Sequence, residues 1–308
     1  MQAPKFATVK KFNAFVLRRQ FFRVFDAADG INVILDAMPN LRSFTYEPWH
    51  AMIEESVESQ ETSLCELIRC LFGHEKLQNV TIFKSFEEHL SNGYWRAGRS
   101  LPAPDPFVGH QAALASSQAT AVTTLNLSFV TDAMHFFRSF WNPEQFSPEP
   151  PLILPSDEMR WAKLEKLVLT SNALRWDGDH DNLVRIAADT AKNMPRLAVM
   201  RVWNCGKDHC AYILYARDLH NLSAPLLELG STWGFEASEN AMDRWESVAE
   251  AHHCRYPLEI EIPELEAEKF SYYATLAYWT WPDKERYPDI ATETTLEEIR
   301  QDEKHERY

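Results

Sequence analysis

The sequence predicts an α/β fold of laterally stacked strand–helix units, and three observations carry that prediction. A short pattern with apolar residues at positions 1, 4 and 6 recurs seven times, stretches of helical periodicity lie between the copies, and two helices share a Pro-containing exit. Positions 4 and 6 stand two residues apart, so on an extended strand they share one face, while position 1 leads the chain into the strand.

In order, the copies are Phe12, Phe15 and Leu17; Leu41, Phe44 and Tyr46; Leu77, Val80 and Ile82; Val122, Leu125 and Leu127; Leu164, Leu167 and Leu169; Leu197, Met200 and Val202; and Ala224, Leu227 and Leu229. They start 29, 36, 45, 42, 33 and 27 residues apart, which leaves room for one strand and one helix per unit. This is the period of leucine-rich repeats. The fifth copy extends it furthest, because Asn172 and Leu174 complete L-x-x-L-x-L-x-x-N-x-L, and the sixth places Cys205 at the Asn position. The expected architecture is therefore an irregular leucine-rich-repeat solenoid, a curved parallel sheet with helices on its convex side. A doubly wound α/β sheet is the alternative, since any α/β chain alternates strands with helices.

Helical spacing follows most strands: Ile31, Ile34, Leu35 and Met38; Leu64, Leu67, Ile68 and Leu71; Ala133, Phe136, Phe137 and Phe140; Leu183, Ile186, Ala187 and Met194; and Ala241, Trp245, Val248 and Ala249. Met38-Pro39-Asn40-Leu41 and Met194-Pro195-Arg196-Leu197 both leave a helix through proline and enter the next strand on leucine. An eighth, closing strand is expected at Leu258, Ile260 and Ile262, with Arg255 in first position. The solenoid thus spans residues 1–262 as seven to eight units. Loop insertions are expected at 91–108 and 142–157, where Gly, Pro and polar residues break both periods. Residues 263–308 form a C-terminal cap and a charged tail with a short helix from near Thr294.

Composition narrows the function classes. Lys and Arg number 31 against 45 Asp and Glu, a formal charge of −14, which repels phosphate backbones and anionic membranes. Neither nucleic acid nor membrane is expected as a partner. The first residues, 1–15, lack an apolar signal core, so a cytoplasmic or nuclear location is expected. Five cysteines, Cys65, Cys70, Cys205, Cys210 and Cys254, are odd in number and read as free thiols.

Four stretches approach known chemical motifs without completing them. Gly93 to Ser100 approaches a phosphate-binding loop, but Arg99 replaces the lysine, and Pro102 and Pro104 stand where a helix should begin. Gly230-Ser231-Thr232-Trp233-Gly234 has the glycine spacing of a nucleophile elbow with Thr at its centre, and reads as a turn. Asp177, Asp179 and Asp181 alternate like a calcium loop, but Asn182 and Ala188 occupy the required Gly and Glu positions. They read as a solvated turn in which Asp181 caps a helix. Cys205, His209 and Cys210 with His252, His253 and Cys254 supply zinc-type ligands only if the groups meet across two repeats. No catalytic residue, metal or cofactor is assigned.

Residues Val16 to Arg23 (VLRRQFFR), then Met38 to Leu41, then Tyr46-Glu47-Pro48-Trp49, resemble a stretch of fungal F-box-like proteins with irregular leucine-rich repeats. The run Trp245 to Ile262 is similar to their C-terminal region, a fungal domain of unknown function. The resemblance implies a ubiquitin-ligase substrate receptor whose F-box grips a Skp1-like adaptor while its repeats hold a target. The first repeat begins near residue 9, where an F-box would need roughly 40 to 50 residues upstream, so a Skp1-like adaptor is expected only if an upstream F-box is missing from this chain.

In such a stack, positions 3 and 5 point away from the core. Early copies place Ser43, Thr45, Asn79, Thr81, Thr124 and Asn126 there, and later ones Lys166, Val168, Val199, Arg201, Leu226 and Glu228. Trp176, Trp203 and Trp233 follow several strands. Aromatic and Arg side chains are typical anchors of interfaces. Lys166, Arg201, Glu228, Trp176, Trp203 and Trp233 are therefore the expected contacts for an unidentified protein or peptide, unless the tryptophans only fill the rim. The functional expectation is a non-enzymatic protein-binding scaffold, with an enzyme on a doubly wound fold, its site in loops after the strands, as the alternative.

Overall fold

A computed structural model of the chain describes residues 5–6, 8–15, 27–48, 54–84, 105–139, 161–206, 209–220, 222–267 and 297. The chain enters its strands through a repeated turn. The amide of the position-1 residue donates to the carbonyl three residues back: Leu41 to Met38 (3.1 Å), Leu77 to His74 (3.1 Å), Leu164 to Trp161 (3.1 Å) and Leu197 to Met194 (2.9 Å). Pro39 and Pro195 take the second place of their turns, where a fixed φ is favourable.

A second repeated device lays each strand on the one before it. One position-2 carbonyl accepts both amides of positions 2 and 3 in the next copy: Lys10 from Arg42 and Ser43, Arg42 from Gln78 and Asn79, Gln78 from Thr123 and Thr124, Thr123 from Glu165 and Lys166, and Glu165 from Ala198 and Val199. Every one of these bonds measures 2.8 to 3.0 Å.

The strands are β1 (Lys11–Phe15), β2 (Ser43–Glu47), β3 (Asn79–Phe83), β4 (Thr124–Asp132), β5 (Lys166–Thr170), β6 (Val199–Gly206), β7 (His209–Ala216), β8 (Leu226–Ser231) and β9 (Glu259–Glu261). Among the described residues they form one mixed, mostly parallel, unclosed sheet of nine strands in chain order. β1 to β6 are parallel, β7 is antiparallel to both neighbours, and β8 and β9 are parallel. Phe44, Val80, Leu125, Leu167 and Met200 stand side by side in one row, and Tyr46, Ile82, Leu127, Leu169 and Val202 in another. All ten are buried. Each contributes roughly 1.5–3 kcal/mol through burial, so these rows fix the register.

Helices α1 (Ala27–Asp36), α2 (Glu54–Phe72), α3 (Pro106–Gln118), α4 (Ala133–Arg138), α5 (His180–Ala191) and α6 (Glu239–Ala251) each pack on the next in chain order. A doubly wound sheet requires the strand order to reverse. The described strands show no reversal. Trp245 of α6 is buried and donates its indole N–H to the Val184 carbonyl of α5 (3.1 Å), fastening the last two helices. No helix among the described residues is long and apolar enough to cross a membrane.

The structure corrects the sequence expectations at five places. In the first copy, Phe12 pairs with Phe44 and Ala14 with Tyr46, so Val9, Phe12 and Ala14 hold positions 1, 4 and 6. The expected register was three residues too late. Both triplets are apolar, and the Lys10 carbonyl linkage selects the earlier one. The expected loop 91–108 ends in helix, because Asp105 caps the Phe107 amide (2.9 Å) and Pro106 opens α3. That helix has small buried residues, Gly109, Ala112, Ala113 and Ser116, instead of an apolar stripe. A Cβ on Gly109 would lie 2.5 Å from Thr131 Oγ1, so α3 approaches β4 more closely than any other residue there permits. The expected last pair of strands is separated from β6 by an extra antiparallel strand, β7. In β9, Ile260 pairs with Leu227, two residues beyond the expected register and on the same face. Asp179, not Asp181, stands at the start of α5. Asp181 instead accepts the Ser238 amide (2.8 Å) and pairs with Arg185 (3.3 Å). Burial opposes its ionisation, but these bonds hold its carboxyl below the usual range. The phosphate-loop candidate at 93–100, the insertion 142–157, and residues 268–308 apart from Glu297 lie outside the described residues.

Candidate functional site

The chemistry-bearing residues gather where the parallel pattern breaks. β6 and β7 join through residues 207–208, and Gly206 pairs with His209 across that two-residue connection. Alternation along β6 then sends Arg201, Trp203 and Cys205 to the face opposite the helices, opposed on β7 by Leu214, Tyr212 and Cys210. Glu228 of β8 joins the same face through its pairing with Leu214.

On this face the Tyr212 hydroxyl donates to Glu228 Oε1, and the Arg201 guanidinium carbon lies 6.0 Å from the Tyr212 ring centroid. A cation and an anion thus bracket one aromatic ring. Gly230 is the seat of that ring: a Cβ there would lie 2.4 Å from a Tyr212 ring carbon. Gly230 therefore lies inside a strand, in place of the expected turn. Trp203 meets Phe129 edge-on at 5.0 Å, and Phe129 meets Phe83 edge-on at 5.8 Å, extending the cluster to β3. Phe129 reaches this position through a left-handed backbone (φ 58°) at the irregularity in β4, where its amide donates to Thr170 Oγ1 (2.8 Å).

The six expected contact residues fall into three places. Arg201, Trp203 and Glu228 are buried, at 0%, 0% and 7% exposure, which corrects the expectation that they are solvent-facing. Trp176 is 70% exposed in the loop after β5, beside the Arg175–Asp177 ion pair (3.8 Å). Trp233, half-buried after β8, stacks near His180 (5.6 Å), which also meets Phe235 (5.4 Å). Both tryptophans lie beyond the carboxyl ends of parallel strands, so they share one rim. Lys166 sits half-buried at the opposite end of β5.

The zinc-type residues divide between the two faces. Cys205 and Cys210 lie on the face opposite the helices. His252 accepts the Tyr215 hydroxyl at Nδ1 (3.0 Å), and Tyr215 belongs to the helix face. Nε2 of His252 lies 3.1 Å from the Ala191 carbonyl, which can only accept, so Nε2 carries a hydrogen. Burial and the Arg217 charge pull its pKa down to about 4. Among the described residues no three His, Cys, Asp or Glu side chains converge as a metal site.

Two further groups escaped the sequence reading. Asp132 accepts Ser171 Oγ–H (2.7 Å), the Asn172 amide (2.7 Å) and the Met134 amide (2.8 Å), so the expected Asn position is anchored through its backbone by a carboxylate one strand away. Lys84, 4% exposed at the end of β3, has its pKa lowered to about 8 by burial, against the opposing pull of Glu61. Neither carries a local sequence signal. The missed strand did carry one: Ala211 to Ala216 is an uncharged run that holds Tyr212, Ile213 and Tyr215, residue types enriched in strands.

The arrangement offers an aromatic, partly charged rim above a sequestered polar interior, which suits contact with another macromolecule. Comparison with curated proteins and with solved structures finds no match. The family comparison carries nothing on an F-box or on leucine-rich repeats. Residues 73–279, which include every strand from β3 to β9, match DUF6546, a family of unknown function, and the chain belongs to that family.

Proposed function

We propose that this protein is a non-enzymatic protein-binding scaffold built as an irregular leucine-rich-repeat stack, similar to the substrate-recognition region of F-box leucine-rich-repeat proteins. The observation that carries the reading is the repeated linkage in which one carbonyl accepts two amides of the next copy, five times in succession. Units joined this way extend in one direction and leave an open rim and edge, the geometry that repeat proteins use for binding. The partner is a protein or peptide, met in the cytoplasm or nucleus. Trp176 supplies the most exposed aromatic anchor among the described residues, Trp233 stands on the same rim, and Lys166 offers a separate contact at the other end of β5. Arg201, Trp203 and Glu228 are buried on the sheet face opposite the helices and do not contact a partner directly.

The test compares proteins captured from the native cell by the full chain and by Trp176→Ala and Lys166→Glu variants, read by quantitative mass spectrometry. At least one specific prey is expected to fall tenfold or more with Trp176→Ala while the circular-dichroism spectrum stays unchanged. Prey profiles identical across all three proteins would overturn Trp176 and Lys166 as binding contacts. A Skp1-like adaptor and a cullin among the prey would extend the reading to ligase recruitment; other prey without them would confine it to binding alone.

A further inference from the structure

We propose that Cys205 and Cys210 form a reversible dithiol–disulfide couple, a redox-modifiable site at the tip of the β6–β7 hairpin. The two residues face each other directly across the hairpin and both are buried thiols. The Cys210 amide donates to Thr232 Oγ1 (3.2 Å), and its carbonyl accepts the Thr232 amide (2.9 Å). Both backbone groups of Cys210 therefore point to β8, which makes 205–210 a non-hydrogen-bonded pair of the antiparallel ladder. In such pairs the Cα atoms stand about 4.5 Å apart. A disulfide spans Cα separations of about 4.4–6.8 Å. Closure therefore requires side-chain rotation and no rearrangement of the strands.

The other cysteines lack this geometry. Cys65 and Cys70 are five residues apart on α2, and at about 3.6 residues per turn they point to different sides. Cys254 is held by Tyr215.

The pair also has an order of attack. Burial and the hydrogen bond to Cys205 hold the Cys210 thiol well above the ordinary thiol range, with Arg201 opposing them, so Cys210 keeps its proton and the first attack falls to Cys205. The oxidant is a small-molecule disulfide. Cys205 sulfur attacks one of its sulfurs, forming a mixed disulfide and releasing one thiolate, which takes the proton lost by Cys205. Cys210 then attacks the Cys205 sulfur, displacing the second small thiolate, which takes the proton of Cys210. Two protein thiols are oxidised, and one small disulfide is reduced to two thiols.

The experiment treats the reduced full chain with oxidised glutathione, unfolds it, alkylates free thiols with N-ethylmaleimide, and reads intact mass and linked peptides. Adducts are expected to fall from five to three, with one 205–210 link, and to return to five after dithiothreitol. Cys210→Ser is expected to stop as a glutathione adduct on Cys205. Five adducts after oxidation, or a link involving Cys65, Cys70 or Cys254, would overturn the proposal. Wild-type protein with one equivalent of phenylarsine oxide, which bridges thiols in contact, supplies a readout that needs no variant. Protection of Cys205 and Cys210 together supports the couple, and failure to protect them overturns it. Neither arm depends on the protein-binding reading.

Discussion

The parallel run from β2 to β6 and the antiparallel excursion from β6 to β8 are built from similar residues and held by different means. In the first, β2, β3, β5 and β6 arrive through the same turn, every strand is linked by the same shared carbonyl, and the run presents apolar rows to a helix layer. In the second, the chain doubles back with no helix between strands, and the interior fills with polar partners: Tyr212 with Glu228 and Arg201 on one face, Tyr215 with His252 on the other. Repetition makes a region's stability a sum of similar apolar terms. An excursion concentrates it in a few specific contacts, each of which has no substitute.

Leu167→Ala breaks the parallel region most directly. Leu167 is fully buried between Leu125 and Met200, so its truncation should cost about 2–5 kcal/mol, seen as a lower urea midpoint. Leu125→Ala should cost a similar amount, and a much smaller loss at either position would show that the rows do not act as equivalent units. In the excursion, the decisive variable is pH. His252 has a folded pKa of about 4 against about 6.5 unfolded, so between these values the unfolded chain binds more protons. Its contribution is complete above pH 6.5 and is lost as pH falls towards 4, up to about 3 kcal/mol. His252→Asn should flatten this part of the stability–pH curve; an unchanged slope between pH 6.5 and 4.5 would remove His252 as its origin.

The smallest effect is also the most local. Gly230→Ala forces a methyl into the Tyr212 ring and should cost about 1–3 kcal/mol. In a Tyr212→Ala background the same substitution should cost close to nothing, because the clashing ring is gone. Equal costs in both backgrounds would place the constraint elsewhere than in the Tyr212 ring.

Legibility follows the same division. Six of the seven copies were readable to the residue, since a row of buried side chains at period two tolerates no slip. The first copy was not, because two overlapping apolar triplets satisfy the pattern and only the Lys10 carbonyl decides between them. Helix α3 was invisible for the opposite reason: beside Val108 its buried face is made of Gly, Ala and Ser, which carry little apolar contrast. Of the expected contact residues, Trp176 is exposed, whereas Arg201, Trp203 and Glu228 are interior. Alternation tells which face a side chain takes and says nothing about whether that face meets water.

The sequence by itself determined the strand–helix alternation, the apolar rows and the absence of a recognisable catalytic motif, because each depends on residues close together in the chain. Tertiary structure decided where β7 inserts, how Tyr212 settles on Gly230, and why Cys205 meets Cys210. These are pairings between strands whose partners are chosen by folded geometry, and a ring, a carboxylate or a thiol acquires its role only when a distant residue is brought within bonding distance.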